Sequence, residues 1–181
     1  MPLSIWNYTP EVQYGQLWDK VTLQCRGLVT DNNGDVVAYP FKKFFNIEEN
    51  KHTPTQNFEV YEKMDGSLGI LFFYEGKWVV ATRGSFTSPQ SVKARELLDT
   101  KYNLESIPKG YTTLFEIIYP ENRIVVDYGD EEKLVVLGMT NRFNGKELDY
   151  ESLVNMHSES GIPVVKRYDG IKDYSTLKGM I

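Results

Sequence analysis

A lysine and an aspartate stand two residues apart between two apolar runs in Phe58-Glu-Val-Tyr-Glu-Lys63-Met-Asp65-Gly66-Ser67-Leu-Gly69-Ile-Leu-Phe-Phe-Tyr74. Phe58, Val60 and Glu62 alternate with Glu59, Tyr61 and Lys63, which is the period of a strand ending at the lysine, and Leu68 to Tyr74 reads as a second, more buried strand. Asp65-Gly66 predicts the turn that joins them into a hairpin. Lys63 then sits at the end of a rigid element and looks into whatever cavity the sheet encloses. Its amine becomes a nucleophile only if burial or a neighbouring cation lowers its pKa from about 10.4. Asp-Gly is also the commonest short hairpin signal, so the tetrapeptide alone fits a surface turn with solvated side chains. Its surroundings have to decide.

A chain of 181 residues is one domain of ordinary size with room for a real core. Twenty Lys plus Arg against 25 Asp plus Glu leave a net charge of -5, so contact with a polyanion requires a local basic groove. The single Cys25 excludes an intramolecular disulfide and fits a reducing compartment, and with only His52 and His157 beside it no zinc site is plausible. No run approaches 18 apolar residues and the N-terminus lacks a basic region followed by an apolar stretch, so no membrane contact is expected and the location is read as cytoplasmic.

Along the chain, Thr9-Pro10 caps a short helix over 11–20. Leu23 to Thr30, a turn at Asp31-Asn-Asn-Gly34 and Val36 to Pro40 make a β-hairpin, in which Arg26-Gly27 marks a place where a backbone or ligand comes close. Phe41-Lys42-Lys43-Phe44-Phe45 interleaves cations with aromatics, which suits either a hydrophobic staple carrying solvated lysines or a phosphate-binding, base-stacking surface. Glu48 to Gln56 is read as a loop. A strand from Lys77 ends at Arg83-Gly84-Ser85, and Ser88-Pro89 opens a helix over 91–100 with Val92, Leu97 and Leu98 near one face. Strands follow at 111–120, 124–128 and 133–139, the first with Glu116 embedded among apolar residues, where a carboxylate is rarely found without purpose. A helix over 149–160, capped by Asp149 and closed by Gly161, precedes a short strand from Ile162 to Tyr168 and a polar end. Strands dominate, which predicts an α+β protein of mostly antiparallel sheets flanked by helices.

The order of these segments resembles the ATP-dependent RNA ligases of the phage RNA ligase 1 type, within the covalent nucleotidyltransferases. The resemblance implies an ATP-grasp-like ligase adenylylation fold and a single adenylyltransferase domain over 1–181, incomplete at its C-terminal end. It implies that Lys63 attacks the α-phosphate of ATP, releases pyrophosphate and carries AMP, which passes to an RNA 5′-phosphate before a 3′-hydroxyl displaces it. By the same resemblance Gly66, beside Asp65 in the nucleotide-binding motif, lets the backbone approach the nucleotide. Arg83 contacts ribose or phosphate, Glu116 binds the ribose hydroxyls with Phe115 beside the base, and Arg26 and Lys43 touch the leaving phosphates, leaving Lys42 solvated. Cations at Arg26, Lys43 and Arg83 would disfavour the charged form of Lys63 and neutralise the transferred phosphoryl group, with Mg²⁺ as Lewis acid on the phosphates. No protein metal ligands are assigned, and no Gly-x-x-x-x-Gly-Lys-Ser/Thr loop is present.

The sequence departs from the family where an apolar strand bearing Glu-Gly and a Lys-x-Lys strand should follow. The expectation is therefore an adenylylating core of partial activity whose missing motifs come from a further segment or chain. Two readings stay open beside it: a non-catalytic nucleotide- or RNA-binding module, and another covalent nucleotidyltransferase such as a DNA ligase or capping guanylyltransferase.

Overall fold

The computed structural model describes residues 2–46, 49 and 57–179. In chain order these form β1 (Ser4–Asn7), α1 (Pro10–Gly15), α2 (Lys20–Gln24), β2 (Arg26–Thr30), β3 (Val36–Ala38), β4 (Val60–Tyr61), β5 (Ser67–Tyr74), β6 (Lys77–Thr82), α3 (Pro89–Lys101), β7 (Tyr111–Ile118), β8 (Lys133–Asn141), α4 (Tyr150–His157), β9 (Arg167–Tyr168) and α5 (Tyr174–Lys178). The α+β expectation holds. Of the loop expected over 48–56, all but Glu49 lies outside the described residues.

β6, β5, β7 and β8 make a four-stranded sheet in that order, and every pairing is antiparallel. Its central strand β5 is a continuous apolar run because both of its faces are covered. One face carries Leu71, Trp78, Val80, Phe115, Ile117, Leu134 and Val136 against Ala94, Leu97 and Leu98 of α3 and Leu153 of α4. The other carries Ile70, Phe72, Ala81 and Leu114 against Val29, Val37 and Ala38 of the smaller sheet β1-β2-β3. Alternation along β7 therefore sends Phe115 to the helical face and Leu114 and Glu116 to the space between the sheets. Phe41 joins that second layer and packs against β8, where a Cβ on Gly138 would come within 2.7 Å of its ring.

Local chemistry explains where the helices begin. Thr9, Ser88 and Asp149 each accept a hydrogen bond from a backbone amide at the start of α1, α3 and α4. The first of these helices is shorter than expected, because Gln16 turns left-handed and Asp19 caps a separate α2 that takes in Leu23 and Gln24, both expected in a strand. Val92 is 60% exposed and does not share the buried face of Leu97 and Leu98; Ala94 and Ser91 fill that face instead. The polar end of the chain, for which the sequence predicts no element, contains α5 capped by Asp173.

Two larger differences bear on the site. Residues 124–128 form a loop, not a strand. The stretch before Lys63 does not pair with β5: β4 pairs with β9, so Asp65-Gly66 is a crossing between two sheets and not a hairpin turn. Period-2 alternation locates a strand but does not name its partner, and Arg167-Tyr168 lies over 100 residues downstream. The tight hairpin lies one strand later, where Glu75 and Gly76, both at positive φ, join β5 to β6.

Candidate active site

The segment leading into Lys63 is held by the far end of the chain. Glu62 N donates to Lys166 O at 2.9 Å, continuing the β4 and β9 ladder, and Arg167 pairs with Glu59 (3.0 Å), Glu151 (2.8 Å) and Asp169 (3.0 Å) while covering the Tyr150 ring. Next comes Lys63, exposed, and then Met64, which anchors the backbone against Ile118, Val135 and Val165. The amine is left accessible on a fixed main chain.

The next three residues are tied to β7 and the loop after it. Asp65 Oδ2 accepts from the amides of Val125 and Val126, both at 2.7 Å, and Asp65 N donates to the Tyr128 hydroxyl at 3.0 Å. The Val126 and Val125 amides hold its carboxylate below the usual range. Gly66 N donates to Glu116 Oε1 at 2.9 Å. Ser67 Oγ donates to Asn122 Oδ1 at 3.0 Å, and Asn122 Nδ2 donates to Ile117 O at 3.0 Å. A Cβ on Gly66 would stand 2.5 Å from Ile117 O, so glycine is required there by β7 itself. Asp65 likewise serves the protein's own loop, through two backbone amides.

Glu116 is the chemical centre of this arrangement. Burial pushes its carboxyl up to about 7; the Gly66 amide opposes the shift, Asp65 adds to it, and Arg26 and Lys63 oppose it. Lys63, Asp65, Gly66, Arg26 and Glu116 therefore share one electrostatic neighbourhood, although they come from three separate segments. Arg26 and Arg83 line a cleft of about 360 Å³ with Ser67, Thr82, Gly84 and Gln90. Burial, and then the nearby Arg83, hold the Arg26 guanidinium below its usual value. Gly27, at φ +87°, makes this possible: Arg83 Cα would lie 3.3 Å from a Cβ placed there.

Two residues expected at the site stand apart from it. Phe115 is fully buried on the helical face, its ring folded over Gly69, so it has no surface to offer a base. Lys43 directs its Nζ to Phe44 O at 2.8 Å and lies over the rings of Phe45 and Trp18 at 4.5 and 5.9 Å. Among the described residues no contact joins it to Lys63 or Glu116. Aromatic surface is available elsewhere, in a cleft of about 420 Å³ whose lining includes Phe41, Phe44, Tyr61, Leu137, Leu148 and Tyr150, where Tyr61 sits two residues before Lys63. Sequence reasoning missed Asn122, Tyr128 and Arg167. Only Asn122 carried a signal, an amide side chain just after Pro120 in a turn.

The family model for RNA ligases of the T4 type 1 class matches residues 24–181. The chain belongs to this RNA ligase family. A protein bearing an RNA ligase name from Thermovibrio ammonificans is 33% identical over 130 residues, which is 66% of this chain and 34% of that one. The RNA ligase of Rhodothermus phage RM378 is 26% identical over 207 residues, 85% of this chain and 46% of its own. This ligase-family chain thus spans less than half the length of either relative. Its fold is also that of the solved archaeal ATP-dependent RNA ligase, with a TM-score of 0.54 at 20% identity over 78% of this chain and 40% of that one.

The Asp65 contacts give a direct prediction for the ligase-family fold. In Asp65→Ala the amides of residues 125 and 126 lose their acceptor, and their hydrogen exchange is expected to speed up on the order of tenfold while the core of β5 stays protected. Asp65→Asn keeps one acceptor oxygen and should fall between the two. Unchanged exchange at 125 and 126 in the alanine variant would remove Asp65 from this role.

Proposed function

We propose that the chain is the adenylylating core of an ATP-dependent RNA ligase. Lys63 Nζ attacks the α-phosphorus of ATP, the bond to the β-phosphate oxygen breaks and pyrophosphate leaves, giving a lysyl-AMP. The AMP then passes to an RNA 5′-phosphate, and a 3′-hydroxyl displaces AMP as the strands join. The observation that carries this reading is the Gly66 to Glu116 hydrogen bond, which ties the segment of the motif lysine to a half-buried carboxyl that feels the charges of Arg26 and Lys63, within an RNA ligase family fold. Lys63 is the nucleophile. Glu116, near neutrality between its two protonation forms, accepts from the ribose hydroxyls, and Arg26 and Arg83 face the phosphates, where positioning and charge do most of the work. The aromatic cleft beside Tyr61 has the size and lining that suit a nucleoside. That cleft, and not Phe115, is where the base is assigned, with Lys43 placed at its wall.

Magnesium carried on the triphosphate would act as a Lewis acid. The described residues hold no group of three or more His, Cys, Asp or Glu suited to a metal, so no step is assigned to a protein-bound ion. No helix among the described residues is long and apolar enough to cross a membrane. The single adenylyltransferase domain and the need for downstream motifs from another segment or chain belong to the same proposal.

Incubation with α-labelled ATP and Mg²⁺ followed by denaturing electrophoresis tests it. A labelled protein band is expected in the wild type and none in Lys63→Ala; a band that survives in Lys63→Ala would overturn the assignment. Arg83→Ala and Glu116→Ala should lower the adduct yield without unfolding the chain.

A further inference from the structure

Next to the Lys63 segment the chain exposes three consecutive aliphatic side chains: Ile124 at 60%, Val125 at 76% and Val126 at 44%. Such a group would ordinarily be turned inward or left on a mobile loop. This one is neither, because both of its ends are fastened. The Arg123 guanidinium bonds Asp127 across the tip at 2.7 Å, Gly129 N donates to Asp127 Oδ1 at 2.9 Å, and Asp65 Oδ2 takes both tip amides at 2.7 Å. Behind it, Asn122 is locked to Ser67 and Ile117. Much of the local hydrogen bonding holds an apolar surface in water at a fixed position beside the nucleophile, as a preorganised contact surface would be held.

We propose that the Ile124–Val126 tip is a docking platform for the base of the 5′-terminal nucleoside of the RNA that receives the adenylate. This rests on the ligase reading given above. The occupant follows from position and charge. Asp65, which holds the tip, lies two residues from Lys63, so whatever covers the tip lies next to the lysine when AMP is transferred. A base has an uncharged face that packs on aliphatic groups without asking for hydrogen bonds, and the tip's one carboxylate, Asp127, is neutralised by Arg123. The contact is blind to base identity, since no polar side chain at the tip is free to read an edge. It would sense only that a base is present.

The test is a cycle between side chain and base. A short single-stranded RNA with a 5′-phosphate and a 3′ fluorophore is titrated by anisotropy against wild type, Ile124→Ser and Val125→Ser, and each titration is repeated with RNA whose 5′-terminal nucleotide is abasic. Loss of the base or of the side chain is each expected to weaken binding roughly five- to tenfold, and the two together no more than either alone. Losses that multiply, wild-type affinity in both variants, or a wild type indifferent to the abasic end would each overturn the platform. Both side chains are largely exposed, so the variants should fold as the parent does. Adduct formation with labelled ATP, measured in parallel, should be unchanged in Ile124→Ser. Base-dependent binding without any adduct in the wild type would sink the adenylylation reading and leave the platform standing.

Discussion

Gly69→Ala is expected to lower the free energy of unfolding by about 3 kcal/mol, as overpacking in a closed core does. The added Cβ would stand 2.1 Å from Phe115 Cε2 and within 2.8 Å of Cδ2 and Cζ, distances no real contact tolerates. The ring cannot step aside, because Phe115 is fully buried among Leu71, Leu97, Leu134 and neighbouring side chains. Phe115→Leu makes room. The double variant should therefore be more stable than the sum of the two single losses by over 1 kcal/mol, the coupling expected of residues in direct contact. Denaturant unfolding of the four proteins measures this, and strictly additive losses would show that the ring does not oppose the new methyl group. The consequence reaches the site, because Gly69 pairs with Phe115, Leu68 with Glu116 and Ser67 with Ile117 in one continuous register. A ring lying over a bare glycine lets β5 and β7 close with Glu116 directly beneath the Gly66 amide. Gly69→Ala should lower adduct yield as well as stability, although Gly69 touches no reacting atom.

The same register marks how far the sequence could be read. Alternation and apolar runs located β5, β6, β7 and β8, and caps at Thr9, Ser88 and Asp149 located three helix starts, since these signals are local. The ordered residues Arg26, Lys43, Lys63, Arg83 and Glu116 carry the resemblance to the family, and all of them but Lys43 gather around the Gly66 amide or the cleft beside it. What failed was nonlocal. The partner of β4 lies in the last fifteen residues described, and nothing in Val60-Tyr61 specifies it. The family resemblance puts Phe115 beside the base next to Glu116, but side chains in a strand alternate, so neighbours in sequence face opposite layers. Ile124 to Val126 is apolar and β-branched, which favours a strand; the Asp65 carboxylate takes two of its amides and fixes it as a loop instead. Lys43 was chosen over Lys42 by motif position, and its amine is already engaged by Phe44 O.

Between pH 4.5 and 6.5 the unfolding free energy is expected to change little in the wild type, because the half-buried Glu116 and the buried His157 pull it in opposite directions. Glu116 has an ordinary value of 4.5 raised to about 7 by burial. Its folded form holds a proton that the unfolded chain has released, so its contribution is complete below 4.5 and is lost as the pH rises through 7. His157 is 3% exposed, its Nδ1 faces Ser160 Oγ at 3.0 Å, and burial lowers it from 6.5 to about 4. Here the unfolded chain binds the extra proton, so its contribution is complete above 6.5 and is lost as the pH falls towards 4. Each is worth on the order of 3 kcal/mol across its whole window, by the free-energy equivalent of its pKa change. Glu116→Gln removes the first and should leave stability rising with pH, by about 1 kcal/mol per pH unit, from 4.5 to 6.5. His157→Gln removes the second and should leave stability falling over the same range, whatever its absolute loss from the broken Ser160 contact. Urea unfolding at half-unit pH intervals separates the slopes. Parallel profiles in all three proteins would mean that neither group titrates differently in the fold. A rising slope already present in the wild type, unchanged in Glu116→Gln and abolished in His157→Gln, would confine the effect to His157 and return Glu116 to an ordinary carboxylate, ionised throughout the neutral range in which it is assigned to the ribose.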